Sequence, residues 1–547
     1  MNGNGITDYL KNLMGKPSVP IIILVTAILL KFTLFMLFSV LEGDKLFQVI
    51  AGRNLVLGNG LTYQYVSSSN LSVEIFEPLN RWPPAYSLLF AFLYSFIKNE
   101  MICCLLIDAV AVIIFLVTLK KILHLIHFPP YVINLILLFF GAVETVYIFH
   151  HPTDLLTLGV FLIVLYWSMM FSISPQQPAK TGYLLGVLNF LPFFLRYLYL
   201  PSTLLLPLFL VWAGFKKKDK RMLRGGINAF AVTIILSAGL LLFQKVYAGH
   251  SMYIMPAEKG IFWSNLLTLH PALVGSFINI DFTVMLLKKG FGSDYTKTAL
   301  LIQQSSTALF CIAAFYTVRF LIRKKVIPNT AFEFFVLFGI LSGAATIAVL
   351  SVISFTRINR SPFKGDPYVW TFLSDARYYL FIQLFIFIMA AYFLFLFPWK
   401  KYTLVRRTLQ IVFLLLVTFE VSHTFYFIGK RFDLAGYNTK NIRLPAPVLQ
   451  YLQLEVNRIK SENKLAVLSG ASETIGNRAV LMGAKGMMDH GELNSGKMYT
   501  QQDAVILVIL APEEIVLYEP FRANKNVKLE KEISGILIYS LSVKAGH

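Results

Sequence analysis

The stretch SVPIIILVTAILLKFTLFMLFSVL, residues 18–41, decides the fold class because it is long enough to cross a lipid bilayer as a single helix. Only Lys31 is charged within it, and apolar runs of similar length recur along most of the chain. Lys11 and Lys16 precede this run, and no small-residue cleavage site follows it. It is therefore predicted to be a retained transmembrane helix and not a signal peptide.

The composition of the whole chain points to the same class of protein. Of its 547 residues, 56% are hydrophobic and 14% are charged, whereas soluble domains carry roughly a quarter charged residues. The mean hydropathy is +0.65. These values exclude a soluble enzyme, a fibrous chain and a disordered chain. Cys103, Cys104 and Cys311 all lie inside apolar runs, so neither a disulfide framework nor a thiol metal site is expected.

Eleven transmembrane helices are predicted from the apolar runs. They occupy residues 18–41, 101–121, 131–149, 153–171, 181–199, 201–213, 225–247, 299–322, 331–353, 378–397 and 404–428. The apolar stretch 83–97 would cover only about 22 Å as a helix, too short for an upright crossing of a ~30 Å core. It is predicted to lie in the outer interface.

The formal net charge of +20 arises mainly in short loops between the apolar runs. The basic clusters are Lys11 with Lys16, Lys120 with Lys121, Lys180, Lys216–Arg224, Arg323–Lys325 and Lys400–Arg407. With a cytoplasmic N-terminus, eleven spans place every one of these clusters on the cytoplasmic side, as the positive-inside rule requires. The positive charge is thus interpreted as the feature that orients the chain in the membrane and attracts anionic lipid. No nucleic-acid partner is expected.

The composition becomes that of a soluble domain from about residue 429. We predict a transmembrane domain over residues 1–428 and a small α/β extracytoplasmic domain over residues 429–547. Leu465–Gly470, Ala504–Leu510 and Gly535–Val543 have the length and pattern of strands, and Pro512–Ala523 begins like a helix. The predicted fold class is therefore a mainly α, polytopic membrane protein with a small C-terminal α/β domain.

The first outer loop, residues 42–100, holds the most informative motifs. They are Leu41-Glu42-Gly43-Asp44-Lys45, Ala51-Gly52-Arg53-Asn54-Leu55, Gly58-Asn59-Gly60-Leu61-Thr62-Tyr63 and Arg81-Trp82-Pro83-Pro84-Ala85-Tyr86-Ser87-Leu88-Leu89. Asp44 is a carboxylate just beyond the first transmembrane helix. Residues 44–57 can form an amphipathic helix along the membrane surface. Gly58 and Gly60 then predict a turn, and the two prolines predict the start of the next helix.

In this order, the motifs resemble the GT-C superfamily of integral-membrane glycosyltransferases. The pattern is most similar to bacterial protein O-mannosyltransferase-like enzymes and to the aminoarabinose transferases of lipid A, and it is strongest over residues 18–213. The resemblance implies that Asp44 is the catalytic base. Many relatives carry a second acid directly after this position, where this chain has Lys45.

The resemblance also implies the reaction and its partners. A polyprenyl-phosphate sugar is the donor, and a hydroxyl of a lipid, polysaccharide or protein acceptor attacks with inversion at the outer face of the cytoplasmic membrane. A carboxylate removes the hydroxyl proton, and cationic side chains stabilise the departing lipid phosphate. No nucleotide sugar is expected, because the cytoplasmic loops are short. No cofactor is assigned, and a divalent metal is left open.

Further candidate residues lie near the predicted outer ends of other helices. Asp154 opens the fourth span. It can position the acceptor, share a proton with Asp44, help to hold a divalent ion or simply cap the helix. The predicted contacts of the lipid phosphate or the sugar are Arg81, His150, His151, Arg196, Lys259, Arg377 and Tyr378. Arg196 and Arg377 are the main candidates for the phosphate, and an interfacial anchor is the alternative for Arg377.

Two other functions share this topology. A transporter or flippase for a lipid-linked saccharide would also have buried charges and a cationic cavity. The chain shows no internal repeat, which many secondary transporters have, and its first outer loop is elaborate for a transporter. A non-catalytic scaffold of an envelope assembly is the third interpretation.

Overall fold

The computed structural model describes most of the chain. The described residues are 19–38, 43–142, 152–249, 287, 296–323, 330–355, 359–360, 369–370, 376–397, 403–429, 444, 446–470, 473–487, 493 and 498–546. They form two compact units. Unit one comprises Met1–Phe38 and Leu106–Gly429, and unit two comprises Ser39–Leu105 and Lys430–His547.

Apolar helices build unit one. They are α1 (Val19–Phe38), α4 (Glu100–Leu125, whose first residues belong to unit two), α5 (Pro130–Ala142), α6 (Pro152–Ile173), α7 (Thr181–Leu195), α8 (Leu200–Lys217), α9 (Lys220–Ala248), α10 (Thr296–Arg323), α11 (Ala331–Phe355), α12 (Leu380–Phe395) and α13 (Thr403–Gly429). Short 3-10 turns occupy Tyr197–Tyr199 and Ala376–Tyr379, and β3 (Asn359–Arg360) pairs with β4 (Val369–Trp370).

A helix occurs in each of the eleven ranges predicted from the sequence. Within the described part of the chain, six helical segments are long and apolar enough to cross a membrane. This confirms a mainly α, multi-pass membrane protein. Two of the other helices are shorter than predicted. Helix α7 ends at Leu195, where the backbone of Arg196 is extended, and α12 spans only Leu380–Phe395.

Small residues let helices α7 and α9 approach closely. A Cβ atom added to Gly186 would lie only 2.7 Å from the carbonyl oxygen of Ala229, so the two backbones are in contact there. Asn189, also buried on α7, donates through Nδ2 to the carbonyl of Thr203 and to Oγ1 of Thr233, 3.2 Å away. A buried amide thus links α7, α8 and α9 through hydrogen bonds.

Unit two combines the first outer loop with the C-terminal part of the chain. The loop forms α2 (Gly43–Val56), a hairpin of β1 (Thr62–Ser67) and β2 (Asn70–Pro78), and α3 (Ala85–Ile97). The C-terminal elements are α14 (Ala446–Ser461), β5 (Leu465–Gly470), α15 (Glu473–Leu481), β6 (Lys485–Gly486), β7 (Ala504–Leu510), a 3-10 turn (Pro512–Tyr518), α16 (Glu519–Arg522), β8 (Val527–Ile533) and β9 (Ile536–Val543).

A five-stranded sheet in the order β6-β5-β7-β9-β8 forms the centre of the C-terminal part. Strands β5, β6 and β7 are parallel, whereas β7, β9 and β8 are antiparallel. The predicted strands at Leu465–Gly470 and Ala504–Leu510 are confirmed, and Gly535–Val543 corresponds to β9. Pro512–Ala523, predicted as one helix, is a 3-10 turn followed by a short α-helix.

The hairpin of the first outer loop packs into the core of the C-terminal sheet. Val66 bridges to Met487, and the backbone of Leu71 donates to the carbonyl of Tyr499 at 2.9 Å. Val66 and Leu71 are fully buried in one hydrophobic cluster with the side chains of β5, β7 and β9. Residues 39–105 therefore fold with the C-terminal segment as one unit, and the domain boundary at residue 429 stays a prediction.

Candidate active site

Asp44 lies in the first turn of α2, directly after the stretch that joins this helix to α1. Its side chain is half-buried, and its carbonyl oxygen accepts a hydrogen bond from Nε2 of Gln48 at 3.1 Å. The next residue, Lys45, is fully buried. A carboxylate in the first turn of a helix is stabilised by the backbone N–H groups and the helix dipole. The sequence thus places Asp44 where its negative charge is favourable and reachable.

The glycine-rich motif after α2 is mainly a folding motif. Nδ2 of Asn54 donates to the carbonyl of Thr62 at 2.8 Å, and the backbone of Asn59 donates to the carbonyl of Asn54 at 2.8 Å. Gly58 and Gly60 have φ angles of +87° and +74°, which other residues rarely adopt. These contacts fix the end of α2 against the hairpin and thereby hold the helix that carries Asp44.

Arg81 packs against α2, the helix that carries Asp44. Its guanidinium carbon is 5.6 Å from the ring centroid of Phe47, which follows Asp44 by three residues and so shares its helix face. The ring of Phe47 also packs edge-on against Tyr63, with the centroids 5.5 Å apart. Burial, reinforced by a hydrogen bond to Glu77, raises the pKa of the Tyr63 phenol above its usual range, so this hydroxyl stays protonated.

A second group of predicted residues meets in unit one. Asp154 lies in the first turn of α6 and is 2% exposed, and its Oδ1 forms an ion pair with Nη1 of Arg196. Nη1 of Arg196 also lies 3.5 Å from Oγ1 of Thr153. Among the described residues, Oδ2 of Asp154 has no hydrogen-bond donor. The carboxylate therefore fixes the arginine on one side and keeps one oxygen for a further donor.

An aromatic ring packs against the other side of the arginine. The guanidinium carbon of Arg196 is 5.2 Å from the ring centroid of Tyr378, in the 3-10 turn before α12. Tyr378 packs against a small buried cluster that contains Tyr379 and Ile382. Arg196 is thus held between a carboxylate and a ring, which restricts its rotamers and orients its remaining N–H groups.

The predicted site residues fall into two groups. Asp44 and Arg81 belong to unit two, and Asp154, Arg196 and Tyr378 meet in unit one. His150, His151 and Lys259 lie outside the described residues. The backbone of Arg377 belongs to the Ala376–Tyr379 turn, and its side chain lies outside the described part of the chain. Within that part, no three His, Cys, Asp or Glu side chains are placed to hold a metal ion.

Sequence reasoning missed two buried polar side chains on α13. Glu420 is 0% exposed and His423 is 2% exposed, one helical turn apart, and the neighbouring Thr424 donates to the carbonyl of Ala142 at 2.8 Å. The signal was present in the sequence, because Glu420 is the lone acid in the apolar run 404–428. Ionisable groups at such positions usually face the interior of a helix bundle.

Comparison with known proteins found similarity among solved structures. No family model and no curated protein matches the sequence. Among solved structures, the chain is similar to "Crystal Structure of ArnT from Cupriavidus metallidurans bound to Undecaprenyl phosphate", over 95% of this chain and 97% of that chain, with 10% identity and a TM-score of 0.48.

Proposed function

We propose that this chain is an inverting glycosyltransferase of the GT-C type that takes its sugar from a polyprenyl phosphate. The observation that carries the proposal is the ordered motif set of residues 41–89. The described part of this set, residues 43–89, forms α2, the β1–β2 hairpin and the start of α3, and Asp44 lies in the first turn of α2. This arrangement supports Asp44 as the carboxylate that acts on the acceptor.

In the proposed reaction, Asp44 removes the proton of the acceptor hydroxyl. The hydroxyl oxygen forms a bond to the anomeric carbon from one face while the bond from that carbon to the lipid phosphate breaks on the other face. The configuration therefore inverts, and the proton ends on the carboxylate. The lipid phosphate leaves with the bonding electron pair, so its oxygens gain negative charge that cationic side chains stabilise.

Arg196 is the proposed contact of the lipid phosphate. A guanidinium has five N–H donors, and the pair with Asp154 occupies one side of it. The ring of Tyr378 restrains the group from another direction. The ion pair supports a role for Asp154 in orienting Arg196. Positioning of the acceptor, one of the roles predicted from the sequence, would use the second carboxylate oxygen of Asp154. Arg377, His150, His151 and Lys259 stay proposed contacts of the donor.

The proposed orientation follows from the positive-inside rule. The N-terminus and the basic loops would lie in the cytoplasm, and unit two would lie at the outer face of the cytoplasmic membrane. The acceptor would be a lipid, a polysaccharide or a protein at that face. This arrangement supplies the donor from the membrane and the acceptor from outside it.

Turnover in a defined membrane tests the proposed class of function. The purified protein in lipid nanodiscs is incubated with a panel of polyprenyl-phosphate sugars and envelope acceptors. Loss of the sugar from its carrier, together with a new glycosidic bond of opposite anomeric configuration, is expected. In a second assay, the protein is reconstituted into vesicles whose labelled polyprenyl-phosphate sugars lie on one side of the membrane. Movement of label across the membrane without any new glycosidic bond would instead identify a transporter.

A further inference from the structure

Unit two contains a cavity whose walls carry an excess of positive charge. Its volume is about 560 Å³, and it lies between the first outer loop and the C-terminal sheet. The cations at its wall are Arg53, Lys460, Lys464 and Lys485, whereas the acid is Glu74. Arg53 lies on α2, Glu74 on β2, Lys460 on α14 and Lys485 on β6, and Lys464 lies between α14 and β5. The charge excess therefore arises only when unit two is folded.

Two of these lysines are held in place by backbone carbonyls. Nζ of Lys485 donates to the carbonyl of Ser72 at 2.6 Å, and Nζ of Lys460 donates to the carbonyl of Gly483 at 3.1 Å. A carbonyl orients an ammonium group without neutralising it, and each ammonium has two further N–H donors. Both lysines therefore bring a full positive charge to the cavity in a fixed position.

The other two cations have carboxylate partners. Nζ of Lys464 pairs with Glu462 at 2.7 Å, and Nε of Arg53 lies 3.8 Å from Glu100. Nη1 of Arg53 also donates to the carbonyl of Val480 at 3.2 Å. These carboxylates lie outside the cavity wall and offset part of the charge of Lys464 and Arg53, so the uncompensated positive charge comes mainly from Lys460 and Lys485.

The rest of the wall suits a carbohydrate. Four amide side chains line it, and amides can both donate to and accept from sugar hydroxyls. They are Asn59, Gln64, Asn463 and Gln502. The ring of Phe76 is 39% exposed at the same wall and offers an apolar face to the C–H side of a sugar ring. A volume of this size lies within the range of small-ligand sites, about 300–1,000 Å³.

We propose that this cavity binds an acidic saccharide, with its anionic group held by Lys460, Lys464 and Lys485. The anion is a carboxylate or a phosphate, since both have the oxygen acceptors that ammonium groups bind. This site goes beyond the proposed glycosyl transfer, because binding here needs no turnover. It can exist whether or not Asp44 acts as a base.

Calorimetric titration of the full-length protein in nanodiscs tests the site directly. The probes are the trimer of galacturonic acid, mannose 6-phosphate and the neutral trisaccharide maltotriose. At least one acidic probe is expected to bind at least about tenfold more tightly than maltotriose, and the more tightly bound one identifies the anion. Raising the salt concentration to 1 M should remove this difference, since the Debye length falls to about 3 Å. Equal binding of acidic and neutral probes, or no binding at all, would overturn the proposal.

Variants then assign the binding to this cavity. The double variant Lys460→Gln, Lys464→Gln should bind the acidic probe about tenfold or more weakly, because two charge-assisted contacts are lost. Glu74→Gln should bind the acidic probe more tightly, and misfolding cannot produce such a gain in affinity. Lys525→Gln combined with Lys528→Gln removes two exposed lysines outside the cavity and should change nothing. Unchanged affinity in the first double variant, or weaker binding in Glu74→Gln, would show that the probe binds elsewhere.

Discussion

The buried pair of Asp154 and Arg196 gives the sharpest energetic prediction. The two side chains are 1% and 13% exposed. Removing one partner leaves the other charge in an apolar helix bundle, which typically costs about 3–5 kcal/mol. Asp154→Asn and Arg196→Gln should each lower the free energy of unfolding by about that amount. The double variant leaves no uncompensated charge, so it should lose about 2–3 kcal/mol less than the sum of the two single losses.

The assay is a double-mutant cycle on the free energy of unfolding in bicelles, measured by steric trapping. The matched control is the ion pair between Arg458 on α14 and Glu462 just after that helix, whose side chains are 55% and 39% exposed. Because solvent screens such a pair, its cycle should show far less coupling. Single losses at Asp154 and Arg196 that add to within about 0.5 kcal/mol would refute the inference that the two side chains stabilise each other.

Three further predictions concern the fold that supports the site. Gly186→Leu should destabilise unit one, since its Cβ would lie 2.7 Å from the carbonyl oxygen of Ala229. A thermal denaturation midpoint equal to that of Gly239→Leu, where a Cβ meets open space, would argue against close packing of α7 and α9. Asn54→Ala removes a buried hydrogen bond to Thr62 and should cost about 1–3 kcal/mol, seen as faster amide exchange in residues 54–62. Unchanged exchange there would contradict the folding role of the motif. Asp219 caps α9 by accepting hydrogen bonds from the backbone of Arg221 and Met222. Burial alone would raise the pKa of Asp219, but these hydrogen bonds and the Arg221 side chain lower it overall. Its stabilisation is therefore present above its unfolded pKa of about 3.9 and is lost as the pH falls through the lowered folded value. Asp219→Ala should thus destabilise at pH 7 and matter much less near pH 2, and an equal effect at both would reject the cap.

Local patterns predicted the elements of the fold well. The apolar runs located helices in all eleven predicted ranges, and Leu465–Gly470 and Ala504–Leu510 form strands with the predicted bounds. Such runs are informative because one continuous stretch of chain determines them. Strand β8 (Val527–Ile533) was missed because five of its seven residues are exposed. An edge strand of that kind lacks the apolar alternation that marks a half-buried strand.

Long-range contacts were beyond prediction from one sequence. The hairpin around Val66 and Leu71 completes a hydrophobic core whose other side chains come from more than 390 residues later in the chain. Nothing in the local pattern of the hairpin identifies that partner. Likewise, Asp154 and Arg196 were separate candidates with separate roles, and their pairing depends on how α6 meets the break between α7 and α8.

The rate at which the Asp44→Asn variant removes the sugar from its polyprenyl-phosphate carrier tests most directly the claim that Asp44 is the catalytic base. The variant keeps the shape of the side chain and removes its basicity. The control is Asp503→Asn, which changes a half-exposed carboxylate of the same unit that pairs with Lys544. With the polyprenyl-phosphate sugar that wild type consumes, Asp44→Asn should still bind the donor but turn it over about 10²–10⁴-fold more slowly, as expected for loss of a general base. Asp503→Asn should match wild type. Turnover by Asp44→Asn at the wild-type rate would contradict the assignment of Asp44 as the base.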